Sequence, residues 1–166
     1  MHYSFIEIVH IITGVIAFFV GPWQFIPWIR LHALNLHRLM GKTYVLCVFV
    51  SAPTGLIISF KTDLALAAAG TAVQCVLWFL FTLLAYQNIR AKRIAQHQRW
   101  MMRSYALVLA APMLRILIVF FEAVTQVSYK THFDFLYPLF VWLSFLPLGA
   151  AEIFIRTRPV QIPVKT

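Results

Sequence analysis

The sequence predicts an all-α fold, a polytopic transmembrane helical bundle with five spans in a single domain. Of its 166 residues, 61% are hydrophobic and only 11% are charged, and the mean hydropathy is +0.81. A water-soluble domain has too few polar side chains at this composition to cover its apolar surface. The apolar residues gather into five runs, each near the roughly 20 residues that an α-helix needs to cross a bilayer.

Each run ends at residues that interrupt a membrane helix. The first run, about residues 5–23, ends in "GPWQFIPW", and the short break "KTD" separates the second, about 43–60, from the third, about 64–89. The third ends at "IRAKRIAQHQR", and "YKTHFD" divides the fourth, about 104–127, from the fifth, about 135–155. Prolines and clustered polar residues are typical of such breaks. Because "KTD" is so short, the second and third helices should form an antiparallel hairpin.

The basic residues predict the orientation. Five spans place the termini on opposite sides, and eleven of the fourteen Lys and Arg residues fall on the side opposite the amino terminus. Cytoplasmic loops are enriched in Lys and Arg, so we expect the amino terminus outside and the carboxyl terminus in the cytoplasm. Residues 1–10 contain no Lys or Arg and include Glu7, which favours a retained first helix over a cleaved signal peptide.

The net charge of +9 has two interpretations. A basic surface suits nucleic acid, but Lys and Arg beside membrane spans bind anionic headgroups and fix topology. We expect the lipid bilayer as the partner and no nucleic acid. Cys47 and Cys75 lie inside apolar runs at different depths, which argues against a disulfide or a zinc site.

Two histidines suggest a haem site on the cytoplasmic side. His37 opens the second span in "HRLMGKTYV", and His97 opens the fourth in "HQRWMMRSYAL". Both spans begin on the same side, so the imidazoles should enter the bilayer at similar depth from parallel helices, and neutral imidazole is a usual axial ligand of haem iron. Gly41, four residues after His37, would let a macrocycle approach closely. The sequence thus predicts haem b held by these two histidines.

Basic side chains near the two histidines would neutralise the haem propionates. The cations in question are Arg38, Lys42, Arg99 and Arg103. The same side chains serve lipid phosphates equally well, because Arg and Lys snorkel to the membrane surface. In that second interpretation Trp100 and Tyr105 are interfacial anchors, and His97 is a polar residue at the membrane–water interface without a ligand role.

Two further ionisable residues lie inside the predicted spans. Arg115 should lie about 16 Å into the fourth span, near the midplane, because a helix rises 1.5 Å per residue. Such a charge needs an acceptor. In a structural role the acceptor would be a backbone carbonyl near Pro112 or the Glu122 carboxylate. In a functional role it would be an anionic group of a cofactor. His10 shares a helical face with Glu7, whose carboxylate can orient the imidazole; the alternative is a histidine hydrogen-bonded across helices. A quinone or a second haem is possible near His10 and Arg115.

These segments together resemble the bacterial membrane-protein family called domain of unknown function 2306 (DUF2306). The likeness runs from about residue 10 to 117 through "GPWQF", "LHRLMGKTYVL", "LAYQNIR", "HQRWMMRSYAL" and "LRI". It implies a multi-pass protein of the bacterial cytoplasmic (inner) membrane. The residues at the family's characteristic polar positions are His10, His37, His97, Arg99, Trp100, Arg103, Tyr105 and Arg115. In architecture the chain is more distantly similar to b-type diheme cytochromes and ferric-reductase-like membrane domains.

Two functions follow as hypotheses. The first is a b-type haem electron-transfer module, with a quinone as a possible second cofactor. The second is a non-enzymatic accessory or scaffold subunit of a larger membrane complex, in which the small residues of "LALAAAGTA", 64–72, would allow close helix contact. Motifs for hydrolysis and nucleotide binding are absent from the sequence, and whether the protein is an enzyme stays open.

Overall fold

The computed structural model describes residues 4–157, and this part of the chain is helical throughout, with short connections. The helices are α1 Phe5–Val20, α2 Pro27–His32, α3 Leu34–Ser59, α4 Ala65–Arg90, α5 Ile94–Val108, α6 Ala110–Thr125, α7 Phe133–Leu143 and α8 Leu146–Thr157. Single 3-10 turns at Pro22–Phe25 and Tyr129–His132 precede α2 and α7. Arg158 and Lys165, counted in the orientation argument, lie outside the described residues.

Within residues 4–157, five segments are long and apolar enough to cross a membrane, as predicted. They are Phe5–Phe25, Leu34–Ser59, Ala65–Arg90, Ile94–Thr125 and Tyr129–Thr157. Two begin earlier than hydropathy indicated, at residue 34 instead of about 43 and at 94 instead of about 104. Hydropathy marks where side chains become apolar, whereas the backbone stays helical through the preceding polar turns. His37 and His97 therefore lie inside their helices.

Four helices form the body of the bundle. The most extensive contacts join α1 to α3, α3 to α4 and α4 to α5, and a smaller contact between α1 and α5 closes the ring. In this arrangement α3 and α5 lie diagonally opposite each other and run in the same direction. Adjacent helix axes 8–10 Å apart place such a diagonal pair roughly 11–14 Å apart. Helices α7 and α8 pack outside this ring, on α4 and α5 respectively.

Small residues let the helices approach closely. Ala17, Ala52 and Ala85 are almost fully buried, and a Cβ on Gly70 would lie 2.7 Å from the Cγ1 atom of Val141 on α7. Between helices in a bilayer, van der Waals packing replaces the hydrophobic drive of water-soluble cores. Within the run of small residues at 64–72, Gly70 therefore allows close contact between α4 and α7 of the same chain.

The fourth and fifth spans are each broken in mid-course. Residue 109 separates α5 from α6, and residues 144–145 separate α7 from α8. Pro112 and Pro147 follow these breaks, and proline has no N–H to donate to the carbonyl four residues earlier. The outer segment α6 packs only lightly on its neighbours. The bundle is therefore tight at the end that holds His37 and His97, here called the histidine end, and looser toward the α3–α4 loop at Lys61.

Candidate functional site

The two predicted haem ligands occupy equivalent positions. His37 is the fourth residue of α3 and His97 is the fourth residue of α5. The backbone N–H of each donates to a carbonyl just before its helix, that of Ala33 at 3.0 Å and that of Arg93 at 3.0 Å. Both imidazoles thus project from the first turn of helices that start at the same end of the bundle.

A hydrogen bond two helical turns further along joins these two helices. Tyr44 and Ser104 each lie seven residues after one of the histidines, and the Tyr44 hydroxyl lies 2.7 Å from Ser104 Oγ. Equal steps along parallel helices give equal rises, so this contact supports the predicted similarity in depth of His37 and His97, which stays a prediction.

The same contact belongs to a closed polar ring formed by Tyr44, Trp78, Thr82 and Ser104. The Thr82 hydroxyl donates to the Trp78 carbonyl at 2.8 Å, so it must accept from Ser104 Oγ at 2.7 Å. Ser104 in turn accepts from Tyr44, and Tyr44 accepts from Trp78 Nε1 at 3.4 Å. Each hydroxyl has one hydrogen, and every hydrogen in the ring is used. A satisfied buried network of this kind fixes one arrangement of its helices.

His97 is oriented by the backbone of α4. Its Nδ1 lies 2.9 Å from the Ala85 carbonyl oxygen, which can only accept, so Nδ1 carries the hydrogen. The Nε2 atom is then the lone-pair nitrogen. Metal-bound histidines generally donate their other N–H to a carbonyl or carboxylate in this way. His97 Nε2 is therefore the nitrogen available to a ligand.

His37 projects from the first turn of α3, at the same end of the bundle as His97 on α5. Its Nδ1 atom is buried and has no hydrogen-bond partner among residues 4–157. Two other buried atoms at this end also lack partners there, Gln24 Nε2 and Arg30 Nε. Buried polar atoms are rarely left unpaired, so three in one region fit a site whose ligand supplies the missing contacts. A haem's iron and propionates are of the right chemistry for an imidazole, a carboxamide and a guanidinium.

Gly41 does not border open space. A Cβ at this position would lie 3.2 Å from Gln24 Oε1. The Gln24 carboxamide therefore fills the place at which the sequence predicted close approach of a macrocycle. Haem binding beside Gly41 requires this side chain to move, and its unpaired Nε2 means that no hydrogen bond from that nitrogen opposes the movement.

The predicted propionate cations fall into two groups. Arg38 and Arg99 are exposed at the histidine end. Arg103 is already paired, with Nε 2.9 Å and Nη2 3.2 Å from the two carboxylate oxygens of Glu152 on α8, and its guanidinium lies over the Trp100 ring at 4.7 Å. Arg103 thus ties α5 to α8, whereas Arg38 and Arg99 keep exposed charges.

Tyr105, one of the characteristic polar positions that the family resemblance implies, holds α5 against α1. Its hydroxyl donates to the Phe18 carbonyl at 3.2 Å. A Cβ on Gly21 would overlap its ring, so α1 and α5 meet here because residue 21 has no side chain. Tyr105 closes the bundle at the histidine end.

His10 lies in the looser half of the bundle and borders a cavity of about 990 Å³, here called the lateral cavity. Its Nδ1 donates to the Ser51 carbonyl at 2.9 Å, and Gly55 leaves room for the ring, because a Cβ there would lie 2.7 Å from His10 Cε1. The alternative of a histidine hydrogen-bonded across helices is confirmed. The prediction that Glu7 orients His10 is wrong, since the Glu7 carboxylate accepts from Lys61 Nζ at 2.8 Å and from the Ser4 N–H at 3.0 Å.

Arg115 also borders the lateral cavity. Its Nη1 donates to the Ala111 carbonyl at 2.9 Å, which confirms the predicted backbone acceptor near Pro112. The predicted Glu122 partner is wrong, because that carboxylate accepts from the Ser128 hydroxyl at 2.8 Å and the Tyr129 N–H at 3.0 Å.

Sequence reasoning missed Gln24, Ser51 and Tyr44. Gln24 is a buried polar residue between two prolines, and only its burial distinguishes it from an ordinary loop residue. Ser51 follows an apolar run, where a hydroxyl more often bonds its own helix. Tyr44 had a signal, since it lies seven residues after His37, as Ser104 does after His97.

Comparison with known proteins identifies a family. A family model described as "Predicted membrane protein (DUF2306)" matches residues 7–155. No curated protein and no solved structure matches the chain. The architectural likeness to b-type cytochromes stays a prediction. Within residues 4–157, no group of three or more His, Cys, Asp or Glu side chains is arranged to hold a metal ion.

Proposed function

The chain belongs to the DUF2306 family of predicted membrane proteins, and from its own geometry we propose that it is an integral membrane electron-transfer module that binds one b-type haem between His37 and His97. One observation carries this proposal. The two imidazoles project from the first turns of parallel helices that the Tyr44–Ser104 hydrogen bond joins, and the N–H that His97 donates to Ala85 leaves Nε2 free to act as a ligand atom.

Each group at the histidine end has a role in this proposal. His37 and His97 would hold the iron, and Arg30, Arg38 and Gln24 would hold the propionates. The haem supplies a reversible one-electron change of the iron. The protein would orient the ligands. It would also exclude water from below, because Tyr44, Thr82 and Ser104 of the polar ring are fully buried.

The membrane context is part of the proposal. We place the protein in the bacterial cytoplasmic membrane with its amino terminus outside, so that the histidine end faces the cytoplasm. The positive-inside rule supports this orientation. The propionates would then lie beside the cytoplasmic headgroups, where Arg38 and Arg99 are exposed.

The alternative is a non-enzymatic accessory or scaffold subunit. Its main support in the sequence was the run of small residues at 64–72. In the structure, Gly70 of this run contacts Val141 and Trp142 of the same chain, so this part of the run is already covered. The redox proposal is better supported because the scaffold proposal does not account for the unpaired buried atoms of His37, Gln24 and Arg30.

An absorption spectrum of the purified protein tests the haem directly. Produced with haem available, the protein should carry one haem per chain, with a reduced α band of the b type. His37→Ala and His97→Ala should each remove that band. His32→Ala is the matched control, since its imidazole stacks on Trp28 at the same end of the bundle and should leave the band unchanged.

Two results would overturn the proposal. One is a folded protein that stays colourless after haem reconstitution. The other is a haem band that persists in the folded His37→Ala/His97→Ala double variant, which would place the haem elsewhere. Co-purification of stoichiometric partner subunits with a colourless chain would favour the accessory role.

A further inference from the structure

The lateral cavity lies in the half of the bundle away from the His37–His97 pair. Its walls come from α1, α3, α4, α5, α6 and α7 and from the α3–α4 loop. Its volume, about 990 Å³, is at the upper end of the range of roughly 300–1,000 Å³ that is typical of small-molecule sites. Most of the wall is apolar, and polar groups reach it at a few points.

Part of the cavity wall is exposed apolar surface of a membrane-spanning segment. Ile11 and Val15 of α1 border the cavity, and each is 48% exposed. On the opposite wall, α6 carries Pro112 and Arg115. Helices α1 and α5 meet at Gly21 and Tyr105, and beyond that contact α6 continues the fourth span without extensive packing on α1. A ligand dissolved in the bilayer therefore has a path between α1 and α6.

Two polar side chains of the wall have unused hydrogen-bonding capacity. The His10 ring is fixed through Nδ1 on the Ser51 carbonyl, so Nε2 is left for a ligand. Arg115 has five N–H donors, and the described structure uses one of them, on the Ala111 carbonyl. Ionisable residues inside a membrane usually mark a functional site.

The charges that border the cavity balance. Lys61 and Arg115 are the cations of its wall, and Asp63 and Asp134 are the anions. Lys61 is also paired with Glu7 at 2.8 Å. A wall without net positive charge favours a neutral ligand over an anionic lipid or a fatty acid, because an anion would lose its hydration without gaining a compensating charge.

We infer that the lateral cavity binds the headgroup of a membrane quinone. A quinone is neutral and lipid-soluble, and its two carbonyl oxygens accept hydrogen bonds of the kind that Arg115 has free. The corresponding quinol presents hydroxyl donors, which suit the lone pair on His10 Nε2. The inference rests on the proposed redox function, since the quinone would be the membrane-soluble partner with which the haem exchanges electrons.

Binding is measurable without the haem. The protein in detergent is titrated with decylubiquinone and with a short-chain menaquinone analogue, and bound quinone is determined by equilibrium dialysis. We expect saturable binding of one quinone per chain. His10→Phe and Arg115→Leu should each weaken binding at least tenfold. The matched controls Ile12→Ala and Ile116→Ala change neighbouring residues that are 54% and 61% exposed, lie outside the cavity wall and should bind as the parent does.

Cys75 provides a second readout. It borders the cavity, whereas Cys47 is buried in the core. In a Cys47→Ser background, a membrane-permeant maleimide should label Cys75, and saturating quinone should slow that labelling. This measurement stays informative if His10→Phe fails to fold.

Three outcomes would overturn the inference: non-saturable partitioning that the variants leave unchanged, no protection of Cys75, or purification with phospholipid or haem occupying the cavity. A red protein that binds no quinone would overturn the quinone inference and leave the haem proposal intact. A colourless protein with saturable, His10-dependent quinone binding would instead overturn the haem proposal and leave the quinone site standing.

Discussion

The two halves of the bundle differ in how their helices are held together. At the histidine end, α1 and α5 meet at Gly21 and Tyr105, and the polar ring around Tyr44 uses all of its hydroxyl hydrogens. Toward Lys61 the fourth span breaks at residue 109, and a cavity of about 990 Å³ opens. One half is built to hold groups at fixed positions, and the other leaves room for a ligand.

The difference teaches where each kind of binding is feasible. A haem held by two histidines needs fixed helices, because ligand atoms placed about 1 Å too loosely fail to form the site. A quinone must enter and leave through the lipid, which a closed ring of four helices does not permit. The same five spans provide both conditions because the fourth and fifth are each interrupted in mid-course by a break that a proline follows.

The largest loss of stability is expected where α1 meets α5. Gly21→Leu would drive a side chain into the Tyr105 ring, and overpacking of this kind costs about 1–3 kcal/mol, with larger values where the backbone must shift. The free energy of unfolding in mixed detergent micelles measures the loss. Adding Tyr105→Ala should restore part of the stability. A loss that the second change leaves untouched would show that the two helices do not meet at this point.

The polar ring should give the next largest effect. Tyr44→Phe removes the donor to Ser104 and the acceptor of Trp78 Nε1. We expect a loss of about 1–2 kcal/mol, because hydrogen bonds between membrane helices are worth about 0.6 kcal/mol on average and up to about 1.7. A double-mutant cycle with Ser104→Ala measures the coupling. Additive effects of the two substitutions would argue against a shared ring.

A matched pair of valines compares the two halves with the same substitution. Val48 is fully buried in the tight half, whereas Val15 borders the lateral cavity and is 48% exposed. Val48→Ala should lower the free energy of unfolding by about 1–2 kcal/mol, and Val15→Ala by about 0.5 kcal/mol or less. Unfolding curves recorded side by side decide the matter, and equal losses would contradict the division into a tight and a loose half.

The smallest effect is expected at the Glu7–Lys61 ion pair. The pair is 2.8 Å apart, but its side chains are 27% and 47% exposed, and such exposed pairs contribute about 0–1 kcal/mol. Glu7→Gln should change the free energy of unfolding within that range, and the change should shrink at high salt. A loss of several kcal/mol that is insensitive to salt would indicate a role in closing the α3–α4 loop over the cavity.

The sequence by itself determined the number of spans, the hairpin of α3 and α4 and the common end of the bundle at which the two histidines lie. These features depend on the length of apolar runs and on the fixed rise of a helix, and both can be read along one dimension of the chain. It also identified His10 and Arg115 as unusual, because an ionisable residue stands out in an apolar run. The sequence did not decide which of several acceptors Arg115 would use.

Only the tertiary structure decided which side chains meet. Three contacts depend on how helices distant in sequence are rotated against one another. Ser51 and not Glu7 orients His10, Gln24 fills the space beside Gly41, and Glu152 pairs with Arg103. Helix rotation is set by many small packing contacts summed over several helices, and no local pattern in the chain reports that sum. The lateral cavity has the same origin, because it exists only where α6 departs from the ring that the other helices complete.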